Sequence, residues 1–149
     1  MSKASFFLLH EDASLPSEEG TDSEKYTSLT EVVRSEGVFR QTLDLPRKEL
    51  GAVLERIDRY IGGTGFLPVL LFNNSPNNLL GDDGDCPPFG YFSPPQARDL
   101  YSTLADIQEP EKRRIFRRES SQFGYIFNIL RSLFGEATKR GAGVAILHE

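Results

Sequence analysis

The stretch from Phe123 to Ala137 places the strongest constraint on this chain. Phe123, Ile126, Phe127, Leu130, Leu133, Phe134 and Ala137 recur at intervals of three and four. They therefore line one face of a helix of about four turns. Three phenylalanines and four aliphatic residues on one stripe must be buried against a second layer, because apolar surface left in water costs about 25 cal/mol per Å². Gly141 and Gly143 supply a stop, and "VAILHE" after them predicts a final strand. A long helix that delivers the chain into an apolar strand implies a sheet with helices packed on it.

The other end of the chain supplies a second strand. "SFFLLH", Ser5 to His10, is short, apolar and ended by charge. The acidic stretch "EDASLPSEEGTDSEK", interrupted by Pro16 and Gly20, has too few apolar groups to offset its ordering entropy and predicts a mobile loop over 11–25. A weak helix follows over Tyr26 to Ser35, and the alternation in "VFRQTLDL" predicts a strand. In "LPRKELGAVLERIDRYIGG", Leu50, Val53, Leu54, Ile57 and Ile61 form an amphipathic helical stripe, with Pro46 at the first helical position and Gly62–Gly63 as the stop. "GFLPVLLFNN" is apolar throughout and contains Pro68, which predicts a buried extended segment. "SPPQ", Ser93 to Gln96, has the S-x-x-Q spacing of a capping box with Pro94 at the first helical position; Ala97, Leu100, Tyr101 and Leu104 continue it as a buried stripe. A charged helical turn, "EPEKRRIFRRE", comes next. The pattern lacks βαβα alternation and internal repeats. The expected fold is one α+β domain, 1–149, with a small sheet that includes both terminal strands and packs against several amphipathic helices.

Charge limits the partners. Twenty-two acids against 17 Lys and Arg give a net charge of -5. That balance disfavours sequence-independent binding to phosphates and makes nucleic acid an unexpected partner. No apolar run approaches the roughly 18 residues of a spanning helix, and the opening "MSKASFFLLHED" lacks a signal-peptide core. With a single cysteine, these features predict a cytoplasmic protein with no membrane partner.

The stretch most suggestive of chemistry is "LLGDDGDCPPFGYFSPPQ", Leu79 to Gln96. A calcium loop needs ligands at alternating positions and a distant bidentate glutamate. The Asp82, Asp83, Asp85 spacing gives neither, so the expected role is a solvated turn, with no metal and no cofactor. A nucleophilic Cys86 needs a histidine base within reach. Only His10 and His148 are present, near the ends of strands that place them as possible neighbours. Glu49, Glu55 and Asp58 read as surface acids of their helix, opposite its apolar face. Arg113, Arg114, Arg117 and Arg118 form one helical face, expected to be solvated or to pair with the acidic loop. "GGTG", Gly62 to Gly65, follows a helix and so lies on the wrong side to cradle phosphate.

The run "FGYFSPPQARDLYSTLADI", with the later "EATKRGAGVAILHE", resembles the YfbM-like bacterial family of unknown function over Gly90 to His148. The resemblance implies an α+β fold and a bacterial source, and it carries no catalytic residue. The expected function is that of a non-enzymatic binding protein, one version being an immunity protein that neutralises a bacterial toxin. Its contact residues would be Glu18, Glu19, Asp22, Asp82, Asp83 and Asp85, meeting a protein with a basic surface. The alternatives are a small enzyme using Cys86 or the Asp82/Asp83/Asp85 loop, and a structural or assembly subunit that forms a homodimer through a sheet edge.

Overall fold

The computed structural model describes residues 3–80 and 86–149 of the chain. Its elements run β1 (Ala4–Leu9), α1 (Asp22–Glu36), β2 (Val38–Leu43), α2 (Arg47–Tyr60), α3 (Phe66–Phe72), β3 (Phe89–Phe92), α4 (Pro94–Ala105), α5 (Glu109–Arg118), α6 (Ser121–Arg140) and β4 (Gly143–His148). A 3-10 turn at Pro76–Asn78 precedes the undescribed residues. The strands form one antiparallel sheet in the order β2-β1-β4-β3, so the α+β expectation holds and the two terminal strands are neighbours in its centre.

The sheet separates two cores. Ala4, Phe6, Leu8, Val144 and Ile146 alternate onto one face, where α2, α3, α4, α5 and α6 supply the larger core. Leu9, Ala145, Leu147 and Phe89 face the other way and are covered by Leu29 and Val33 of α1, with Leu79 beside them. Both faces of β4 are therefore dry, and all six of its residues are buried. That explains why it reads as a continuous apolar run instead of an alternating one.

The α6 stripe behaves as its spacing requires. Phe123, Ile126, Phe127, Leu130, Leu133, Phe134 and Ala137 are all buried. Ser120 caps the helix by accepting the Phe123 N–H at 3.2 Å, and Gly141 closes it in the left-handed conformation (φ 64°). The capping box at Ser93 is complete: Ser93 Oγ accepts the Gln96 N–H at 3.3 Å, and Gln96 Oε1 accepts the Ser93 N–H at 2.9 Å.

Three expectations need correction. The apolar run 66–72 is a helix, with Gly65 (φ 79°) before it and Leu67 and Leu71 buried four residues apart. Pro68 lies in its first turn, where the missing N–H has no helical partner to lose, so proline does not exclude a helix there. Helix α1 starts at Asp22, so the acidic loop ends before that residue. Thr21 caps α1 by accepting the Glu24 N–H at 3.2 Å. Pro46 is the capping residue of α2, one position before the helix begins.

Candidate functional site

Charge is unevenly distributed across the sheet. On the α1 side, residues 11–36 carry eight acids and two bases. This segment is anchored through its few apolar groups: Ala13, Leu15 and Tyr26 pack on the smaller core. Its backbone is tied to α1 where the Ser14 N–H donates to Glu36 Oε1 at 3.1 Å. Glu18 and Glu19 are exposed, and Asp22 sits half-buried at the start of α1, 3.2 Å from Lys25 Nζ. Asp82, Asp83 and Asp85 lie outside the described residues. Leu79 and Leu80, which precede that stretch, pack on this same smaller core. Burial holds the Tyr26 hydroxyl above its ordinary 10.0, opposed by Arg34. Two acidic stretches some sixty positions apart in the chain thus have their described flanks on one side of the molecule.

The opposite layer carries α5. Ile115 is buried in the larger core, while Arg113, Arg114, Arg117 and Arg118 are exposed. Lys112 pairs with Glu109 at 2.9 Å, but none of the four arginines forms an ion pair within 4.0 Å among the described residues. They are a solvated face as expected. They do not pair with the described acids of the N-terminal segment, which the sheet holds away from them. The carboxylate best held in this layer is Glu119, at the end of α5. It accepts two bonds from Arg56, at 2.6 and 2.9 Å, and a third from the Tyr60 hydroxyl at 3.1 Å. The Arg56 hydrogen bond keeps its carboxyl below the usual range.

The two histidines are not neighbours. In the β1–β4 register Ala4 faces His148 and Leu9 faces Gly143. His10, just beyond Leu9, is therefore some six residue steps from His148, about 20 Å along the strands. His148 is 3 % exposed, and its Nε2 donates to the Leu71 carbonyl at 2.8 Å. Burial holds its imidazole below the ordinary 6.5, which keeps it neutral. Cys86 lines a concavity of about 320 Å³ with Asn74, Ser75 and Phe89, and neither histidine borders that space. Among the described residues no three His, Cys, Asp or Glu side chains cluster closely enough to hold a metal ion, and no helix is long and apolar enough to cross a membrane.

One acid was misjudged from the sequence. Glu49 and Glu55 are exposed surface groups, but Asp58 is buried at 6 % exposure. The signal was its position: Leu54 and Ile61, four before and three after, both belong to the apolar stripe. The turn 62–65 then folds over it, and Asp58 Oδ2 accepts the Gly65 N–H at 2.8 Å.

Comparison with family models, curated proteins and solved structures gives no match in any of the three.

Proposed function

We propose that this domain is a non-enzymatic binding protein that presents its α1-side acidic surface to a basic partner protein. The reading is supported by one observation above others: the acids of residues 11–36 and the described flank of the Asp82–Asp85 stretch share one side of the sheet, while the exposed arginines of α5 lie in the other layer. A charge-polarised molecule orients an oppositely charged partner during encounter and repels it from the wrong face. An immunity protein occupying the cleft of a basic toxin is the concrete form of this proposal, with a cytoplasmic location. Kinship with the YfbM-like family belongs to the same proposal and rests on the Ser93 turn and the helix-to-strand passage at the C-terminal end.

The test is calorimetry and stopped-flow binding with the partner purified from the source cells. Replacing Glu18 and Glu19 by Gln and Asp22, Asp82, Asp83 and Asp85 by Asn is expected to weaken binding by about 100-fold, mostly through slower association at low salt. Replacing the four α5 arginines by Ala is expected to leave affinity unchanged. Equal losses from both sets, or none from the acidic set in a folded variant, overturn the proposal.

A second reading is favoured by the free edge of the sheet. Among the described residues strand β2 has β1 on one side only, and Val38 and Phe39 on it are exposed at 38 % and 53 %. Edge-to-edge pairing of two β2 strands would make the protein a homodimeric assembly subunit. Sedimentation across a hundredfold range of concentration, about micromolar to 100 µM, decides it.

A further inference from the structure

A cavity of about 380 Å³ opens between the α2–α3 turn and α4, within the size range of small-molecule sites. Its walls are mainly apolar, with Leu67, Leu70 and Leu100 inside and Phe66, 65 % exposed, at the mouth. Among the described residues, the only charged ones lining it are two acids, Asp58 and Asp99. Asp58 is the unusual one. It is more than nine-tenths buried, and its Oδ2 accepts a single neutral backbone donor, the Gly65 N–H. No other side-chain hydrogen bond or ion pair to Asp58 forms among the described residues. A carboxylate offers about four acceptor positions. The other oxygen of Asp58, Oδ1, is not sealed from solvent. Asp58 therefore brings an acidic side chain with unused acceptor capacity to the wall of an apolar chamber.

We propose that this cavity binds a small organic cation, an amine carried on a compact apolar body. The ammonium donates to Asp58, and Asp99 adds negative potential from the α4 side. The body lies among Leu67, Leu70 and Leu100, with the Phe66 ring offering its face to the cation at the mouth. An anion finds no basic group in the lining among the described residues. A bare calcium ion wants about six or more oxygen ligands, which these apolar walls do not supply. The site lies in the helical layer, away from the α1-side acidic surface, and stands independently of the binding function proposed for that surface.

The experiment is an amide-resonance titration of the full chain with phenethylamine, 2-phenylethanol and phenylacetate, which share an aromatic body and differ in charge. Phenethylamine is expected to shift the Leu67, Leu70 and Leu100 resonances and to bind at least about tenfold more tightly than the alcohol, with phenylacetate weakest. Asp58→Asn keeps an oxygen for the Gly65 N–H and is expected to bring amine and alcohol to parity. If that variant loses its native circular dichroism, Leu70→Trp, which fills the chamber, is expected to abolish amine binding. The proposal is overturned if the alcohol binds as tightly as the amine, or if neither shifts these resonances by about 10 mM. Amine preference surviving in folded Asp58→Asn, or amine binding surviving in Leu70→Trp, also overturns it.

Discussion

The imidazole of His148 stacks on the ring of Phe72, with centroids 4.8 Å apart and planes 22° from parallel, while its Nε2 donates to the carbonyl of the preceding residue, Leu71. The last residue of β4 is thereby fastened to α3, which it meets only through the fold. A neutral ring suits that place; a protonated one would bring an uncompensated charge into the core near Arg47.

Stability should therefore depend on acid in two separable windows. The folded state lowers the His148 pKa, so its contribution is complete above the unfolded value of 6.5 and is lost as pH falls below it. Glu119 is also lowered, so its contribution is complete above 4.5 and is lost only in more acidic solution. Urea midpoints measured from about pH 8 to pH 3 check this. His148→Gln should flatten the upper window alone, and Glu119→Gln the lower one alone.

Gly90 sits in β3 where the chain passes α3. A Cβ there would lie 2.1 Å from the Leu71 carbonyl oxygen and 2.9 Å from Ile146 Cβ. Neither atom is the end of a flexible side chain, so Gly90→Ala must displace backbone. A loss of about 3 kcal/mol is expected in chemical denaturation.

Phe134 lies fully buried in the C-terminal half of α6, its ring edge-on to Phe92 with centroids 4.7 Å apart. Phe134→Ala should cost about 3–5 kcal/mol through lost burial and the space left behind. Phe134→Leu should cost less than half of that in the same urea titration.

The Ser93 box fixes where β3 ends and α4 begins. Ser93→Ala removes the acceptor for the Gln96 N–H and should cost about 1 kcal/mol. Ser93→Asp should recover most of it, since a carboxylate caps equally well and favours the helix N-terminus.

Elements with one wet and one dry face were legible in the sequence. The stripes of α2, α4 and α6 were found because Leu54, Leu100 and Leu130 alternate with polar neighbours at helical spacing. Helix α3 was not, since "FLPVLLF" is apolar all round and carries no period; Phe66 and Val69 prove exposed, which no periodicity announced. Asp58 was misread because its burial comes from a turn folded over it, a tertiary event. His148 lies on its expected strand and His10 one residue beyond β1, and their separation follows from an antiparallel register that only the folded sheet fixes. Glu18 and Glu19 are exposed as their surroundings implied, whereas the shared location of residues 11–36 and the Leu79–Leu80 flank depends on how α1 crosses the sheet.

The order β2-β1-β4-β3 has a consequence for synthesis. As the chain leaves the ribosome, β1 and β2 emerge early and can zip together at once. The slot between β1 and β3 stays open until the last strand arrives, more than a hundred residues after the first. Until then β1 and β3 each keep a bare rim of amide groups, and the core under α6 lacks Val144 and Ile146. A nascent chain stalled just short of Gly143 should be the species that chaperones hold longest and that sticks most readily to its own kind.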